Sequence, residues 1–205
     1  MSTRNFLKEV LKNFPKTDFA FAYGSAIFPQ RTETKKSSKM VDVIFSVDNP
    51  SQWHAENSKV NPFHYNFSRK FFLSTFESWK PGVQFFPFAS LSKIDSTKYS
   101  FVTNEIKYGV IPTNLLISDL LQWDDMYISG RMQKPIVSFN KNKLVFSENC
   151  AQIDKAQKVN LENAFTLALF MLPDRFKLID LFKEITKLSY KGYNLFSDFK
   201  NLFSD

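Results

Sequence analysis

Phe19-Ala20-Phe21-Ala22-Tyr23-Gly24-Ser25 is an apolar run that stops abruptly, and Val41-Asp42-Val43-Ile44-Phe45-Ser46-Val47 answers it from beyond a polar, basic stretch. Aromatic and β-branched residues dominate these runs, so each predicts a strand. Glycine at the end of the first lets the backbone approach a phosphate closely, and serine adds a hydroxyl and an N–H donor. A carboxylate inside an otherwise apolar strand is costly unless it is paired or bound to a metal. Strand, Gly-Ser corner and answering aspartate together predict a site for a metal-bound triphosphate.

The rest of the chain sets bounds on that reading. With 205 residues it can bury a substantial core as one large domain or two small ones. Lys and Arg outnumber Asp and Glu by 27 to 20, a formal charge of +7 that favours anionic partners: nucleotide, nucleic acid or lipid. A single cysteine, Cys150, excludes an intramolecular disulfide and a multi-cysteine zinc site. No apolar run approaches the ~18–20 residues needed to span a bilayer. The 24 phenylalanines predict a large aromatic core or an apolar surface that meets lipid.

Near the N-terminus, Phe6, Leu7, Val10, Leu11 and Phe14 form a helical stripe opposite Arg4, Lys8, Lys12 and Lys16. The stripe predicts a helix over residues 3–13 packed on the domain; the basic face could also serve as a mitochondrial address, although Glu9 spoils the acid-poor composition such a segment prefers. After the second strand, Asp48-Asn49-Pro50 turns the chain, with Ser51 expected to cap a helix. Both histidines, His54 and His64, follow near Asn57, Asn61 and Tyr65, with no spacing that forces a metal site. They read either as a surface for phosphate or base, or as polar residues ending helices. Further strands are predicted over 83–88, 98–102 and 105–111, and helices over 113–123, 154–172 and 176–188. A hairpin is predicted from 136–139 and 144–146 around Asn140-Lys141-Asn142-Lys143. Helix, hairpin and two helices suggest a winged-helix-like second domain. Its helix over 163–171 carries no basic residue to offer a nucleic-acid groove.

Over nearly its whole length the chain resembles the mitochondrial phosphatidate cytidylyltransferase family, also called translocator assembly and maintenance proteins. The resemblance is carried by Phe21-Ala22-Tyr23-Gly24-Ser25, by the run from Val41 to Asp48, and by Trp53-His54 with Asn57, Asn61 and His64-Tyr65. It continues through Ile106-Lys107-Tyr108-Gly109-Val110-Ile111, Asp119-Leu120-Leu121-Gln122-Trp123, the run from Tyr127 to Pro135, Leu172-Pro173 and Leu188-Ser189-Tyr190-Lys191-Gly192.

This resemblance implies an α/β (α+β) fold, with a polymerase-β-like nucleotidyltransferase mixed sheet over 1–112 and a helical, winged-helix-like domain over 113–188. It implies an enzyme that makes CDP-diacylglycerol from CTP and phosphatidic acid with Mg²⁺, for cardiolipin synthesis. Its expected place is the matrix face of the mitochondrial inner membrane, held peripherally on an anionic membrane surface. In residues, it implies that Tyr23, Gly24 and Ser25 hold the triphosphate and that Asp42 ligates Mg²⁺. Lys107, Arg131 and Lys134 neutralise phosphate charge, while His54, Asn61, His64 and Tyr65 line the pocket. Asp119 is either a second carboxylate or a helix-face acid.

Two departures stand against that pattern. The wider superfamily often places a second acid two residues after the first, where this chain has Ile44, as its family does. The family also continues past Leu-Ser-Tyr-x-Gly with an aspartate, where this chain has Tyr193. Residues 189–205 are therefore expected to be an altered or truncated return segment that leaves the metal site short of a carboxylate. On that expectation the alternative is a weakly active or inactive form that binds without turnover. The basic charge alone also allows a nucleotidyltransferase acting on RNA or a small alcohol.

Overall fold

The computed structural model describes residues 3–28, 39–65, 82–91, 102–138 and 149–202. Most of the predicted basic loop, the apolar run before Val102 and the second arm of the predicted hairpin lie outside these residues. Two compact units emerge: Met1–Thr113 with Pro135–Cys150, and Asn114–Lys134 with Ala151–Asp205.

The first unit is a mixed sheet with helices. In chain order it contains α1 (Thr3–Leu11), β1 (Phe19–Tyr23), β2 (Lys39–Val47), α2 (Pro50–Val60) and a 3₁₀ turn (Pro62–His64). There follow β3 (Gln84–Ser90), β4 (Val102–Pro112) and β5 (Val137–Ser138). The spatial order is β3-β4-β2-β1-β5. β2 and β4 run parallel and the other pairs antiparallel. The α/β class expected from the sequence is the one observed.

Register assigns each side chain to a face, because successive residues of a strand point to opposite sides. Ala20 and Ala22 of β1 share a face with Val41, Val43, Phe45 and Val47 of β2, and with Ile106, Tyr108 and Val110 of β4. The apolar stripe of α1 (Phe6, Leu7 and Val10) and Trp53 of α2 join them in one buried cluster. Burying each such side chain is worth ~1.5–3 kcal/mol, so the stripe read from the sequence is core. The opposite face carries Phe19, Phe21 and Tyr23, then Asp42 and Ile44, then Lys107 and Gly109.

Three local expectations change. Asn49, rather than Ser51, caps α2: its side chain accepts from Gln52 N, and Pro50 takes the first helical turn, where a missing N–H costs nothing. β4 is continuous from Val102 to Pro112 rather than confined to 105–111. β5 pairs with β1, Phe21 opposite Ser138 and Ala22 opposite Val137, so the expected hairpin gives its first arm to this sheet rather than to a separate winged domain. The pairing satisfies backbone groups that an edge strand would leave open.

The second unit holds α3 (Thr113–Gln122, from Asn114 onward), α4 (Ser129–Met132), most of α5 (Asn149–Phe170) and α6 (Leu178–Leu202). Trp123, Met126, Ala164 and Leu188 form its buried cluster, with Leu167, Met171 and Ile185 against it. The backbone of α6 passes unbroken through Leu188-Ser189-Tyr190-Lys191-Gly192, so the segment expected to turn back there is helical through Leu202.

Candidate active site

Asp42 is half-buried on β2, directly opposite Tyr23 on β1 and level with Lys107 on β4. Gly24 follows Tyr23 with φ of 88°, a left-handed conformation that L side chains rarely adopt. A Cβ placed on Gly24 would lie 2.9 Å from Asp42 Oδ2. Glycine is thus required here twice, for its backbone angle and for the space above the carboxylate. The chain then coils tightly, with Ile27 N and Phe28 N both donating to Gly24 O at 3.1 and 2.9 Å, and leaves Ser25 exposed. Lys107 is exposed on the same face as Asp42. Tyr23, Gly24, Ser25, Asp42 and Lys107 are therefore brought together at one end of this face.

Among the described residues, the donor this face offers a divalent cation is the Asp42 carboxylate. Ile44, the next residue on that face, is fully buried. Among the described residues no group of three or more His, Cys, Asp or Glu could hold a metal. Mg²⁺ characteristically takes one or two carboxylates and completes its shell with water and substrate phosphates. Asp42, with the Gly24 backbone close against it, fits that habit for a nucleotide-borne ion.

The histidine cluster lies elsewhere. Tyr108 pairs with Val43 and so points to the face opposite Lys107 and Asp42. Around it, His54, Asn57, Asn61, His64 and Tyr65 are all buried, and cannot line a pocket with Asp42. Their hydrogen bonds orient one another. Asn61 Nδ2 donates to Asn57 Oδ1 (2.7 Å) and Asn13 O (2.6 Å). Asn57 Nδ2 donates to the hydroxyls of Tyr65 (2.9 Å) and Tyr108 (3.1 Å). The Tyr65 hydroxyl shares a hydrogen bond with His54 Nδ1 (2.8 Å), and the Tyr108 hydroxyl donates to His64 Nδ1 (3.3 Å). His64 Nε2–H donates onward to Ser90 O (3.0 Å). The carbonyl partner of His64 Nε2 assigns that ring as the neutral Nε2–H tautomer. Phe86 stacks on Tyr108 with ring centroids 4.6 Å apart, closing the cluster.

Burial lowers the His54 pKa from 6.5 to about 4, opposed in part by the Gln84 side chain, and raises that of Tyr65 to about 12, opposed by Asn57 and Tyr108. Between these two His54 values the unfolded chain binds a proton that the folded chain refuses, so stability rises with pH across that window. It is fully present above pH ~6.5 and declines by about 3 kcal/mol as pH falls towards 4. Urea unfolding of parent and His54→Asn at pH 7 and pH 4.5 tests this. The parent should lose markedly more stability than the variant, and equal losses would remove His54 as the cause.

In the second unit, Asp119 is not a surface acid. It is buried, and its carboxylate accepts from Ile128 N (2.9 Å), Ser129 N (2.8 Å) and, more weakly, Asp125 N (3.4 Å). It caps α4 from the last turn of α3. Arg131 lies within α4, its Cζ 5.6 Å from the Tyr127 ring centroid, and Lys134 places Nζ 4.1 Å from the Tyr190 ring centroid. Asn160 is fully buried and was not singled out by any sequence pattern; a lone asparagine in an amphipathic helix gives no signal.

A sheet that sets Gly24 over the Asp42 carboxylate, with Lys107 alongside, has the arrangement of the nucleotidyltransferase-like α+β class. A family model described as phosphatidate cytidylyltransferase, mitochondrial, matches residues 7–197. The chain is 41% identical over 194 residues to the phosphatidate cytidylyltransferase, mitochondrial, of Mus musculus, covering 91% of this chain and 52% of that protein. It is 37% identical over 191 residues to the Homo sapiens protein of that name, covering 90% and 39%, respectively. Against the Saccharomyces cerevisiae protein identity is 36% over 182 residues, covering 85% and 43%. This chain belongs to the mitochondrial phosphatidate cytidylyltransferase family, and spans about half the length of the curated relatives it matches.

Proposed function

We propose that the chain transfers CMP from CTP to phosphatidic acid, giving CDP-diacylglycerol and pyrophosphate. The observation that carries this reading is Gly24 set close against the Asp42 carboxylate, with Lys107 on the same face, in a chain of this family. Gly24 and Ser25 bind the triphosphate through backbone N–H groups and a hydroxyl. An oxygen of the phosphatidate phosphate attacks the α-phosphorus of CTP. The bond from that phosphorus to the β-phosphate oxygen breaks, and pyrophosphate leaves with the electron pair. A phosphate monoester is already anionic at neutral pH, so the attack needs no general base. Lys107, on the face of Asp42, offsets the negative charge that gathers on the phosphates. Mg²⁺ held by Asp42 and the triphosphate would supply Lewis-acid stabilisation of the departing pyrophosphate.

In this reading the product enters cardiolipin synthesis, and the protein works at the matrix face of the mitochondrial inner membrane. Among the described residues no helix is long and apolar enough to cross a membrane. Peripheral attachment to an anionic surface suits a basic chain with a lipid acceptor. A second reading, nucleotide binding without turnover, is favoured by Tyr193 in the place where the family has an aspartate.

The test supplies CTP, Mg²⁺ and vesicles with or without phosphatidic acid, and follows pyrophosphate and CDP-diacylglycerol. The proposal expects both products only with phosphatidate present. Bound CTP without products would support the second reading, and transfer to RNA but not lipid would overturn both.

A further inference from the structure

Beyond Lys107 the face that carries Asp42 becomes apolar, and one aromatic ring stands exposed on it. Gly109 follows Lys107 by two residues on β4 and so lies on the same face. It pairs with Ile44 of β2 on one side and with Phe85 of β3 on the other. A Cβ on Gly109 would meet Ile44 Cδ1 and Val83 Cγ1 at 2.8 Å and Phe85 Cε1 at 3.0 Å. These three side chains therefore converge in the space that glycine leaves. Ile44 and Val83 are buried, whereas Phe85 is 41% exposed. The result is a narrow apolar step whose open part is a phenyl ring. Strand spacing and rise put the Cα of Phe85 about 12 Å from that of Asp42. Lys107 and Gly109 lie on the strand between them, and all of these residues belong to the first unit.

We propose that Phe85 is the stacking surface for the base of the nucleotide whose triphosphate lies at Gly24 and Asp42, which rests on the nucleotide reading of that site. A base is flat and π-faced, and it sits a ribose away from its phosphates. The size of the step favours it over the acyl chains of a lipid. One exposed ring covers one base, whereas acyl chains need a continuous apolar surface that the buried Ile44 and Val83 do not offer. Stacking on an aromatic side chain tolerates any base, so Phe85 adds affinity and orientation without selecting cytosine. Gly109 contributes by its lack of a side chain, since a Cβ there would crowd the ring that it underlies.

Parallel titrations of the full chain separate the base from the phosphates. CTP with Mg²⁺ is one arm and inorganic tripolyphosphate with Mg²⁺ the second. Phosphatidate-containing vesicles, with phosphatidylcholine vesicles as blank, form the third. Phe85→Leu keeps an apolar side chain over Gly109 and removes the π-face. It should weaken CTP binding about fivefold or more and leave tripolyphosphate within about twofold of the parent. Phe85→Tyr, which restores the ring, should bind CTP as the parent does. Equal weakening of CTP and tripolyphosphate would mean that the substitution only disturbs the sheet, and would overturn the inference. Unchanged CTP binding would overturn it as well, and a loss confined to the phosphatidate arm would give the step to the lipid instead. Each of these results leaves the proposed function standing. A parent chain that binds neither CTP nor tripolyphosphate would overturn the nucleotide reading, and this inference with it.

Discussion

Asp42→Asn should abolish CMP transfer, lowering turnover about 10³-fold or more, while the melting temperature changes by no more than a few degrees. The side chain is nearly isosteric, so β2 keeps its register and Ile44 and Phe45 keep their packing. What disappears is the only charge that the Gly24–Asp42 pair offers a cation. A metal's stabilisation of phosphoryl oxygens is worth several kcal/mol, and ~4 kcal/mol corresponds to about three decades in rate. Steady-state pyrophosphate release and a thermal melt on the same preparation give both numbers. Turnover within tenfold of the parent would exclude Asp42 from metal binding. A collapse in melting temperature would mean that the carboxylate is structural.

Gly130→Ala should be the most damaging conservative change in the second unit. A Cβ at Gly130 would stand 2.6 Å from Ser189 Cβ and 3.1 Å from Ser189 Cα. Backbone on the far side cannot swing away as a long side chain could. Overpacking of this kind costs about 1–3 kcal/mol, and in a chain of this size that lowers the melting temperature by ~5–10 °C at the upper end. Ser189→Gly in the same chain removes the nearer atom and should recover part of the loss, even though glycine within α6 costs ~1 kcal/mol by itself. A Gly130→Ala melt that overlays the parent would show that α4 shifts freely on α6.

The strand pair around Gly24 and Asp42 was legible because its signals are local. An apolar run, a glycine and an isolated acid have few interpretations, and the register then delivers Lys107 to the same face. The histidine cluster was not legible. His54, His64, Asn61 and Tyr65 are polar and close in sequence, features shared by ligand-binding and by buried hydrogen-bonded networks. What separates the two is the side of the sheet taken by Tyr108, and that depends on pairing with Val43 across 65 residues of chain. Asp119 failed for a similar reason: its partners are backbone N–H groups, which every residue but proline has. The fate of the predicted hairpin was decided by the open edge of β1, a property of the assembled sheet rather than of residues 136–146.

One consequence follows from a sheet whose two sides do different work. Because neighbours on β2 face opposite ways, deleting a single residue just before Asp42 would send its carboxylate into the buried cluster and bring Val43 to the face of Lys107. Chemistry and folding would fail together, although every residue type were still present. The ladder between β2 and β4 carries its irregularity between Lys39 and Val41, just ahead of that point. Length changes evolving ahead of Lys39 have a place to be absorbed there. Beyond it, the chain can exchange side chains but not its count.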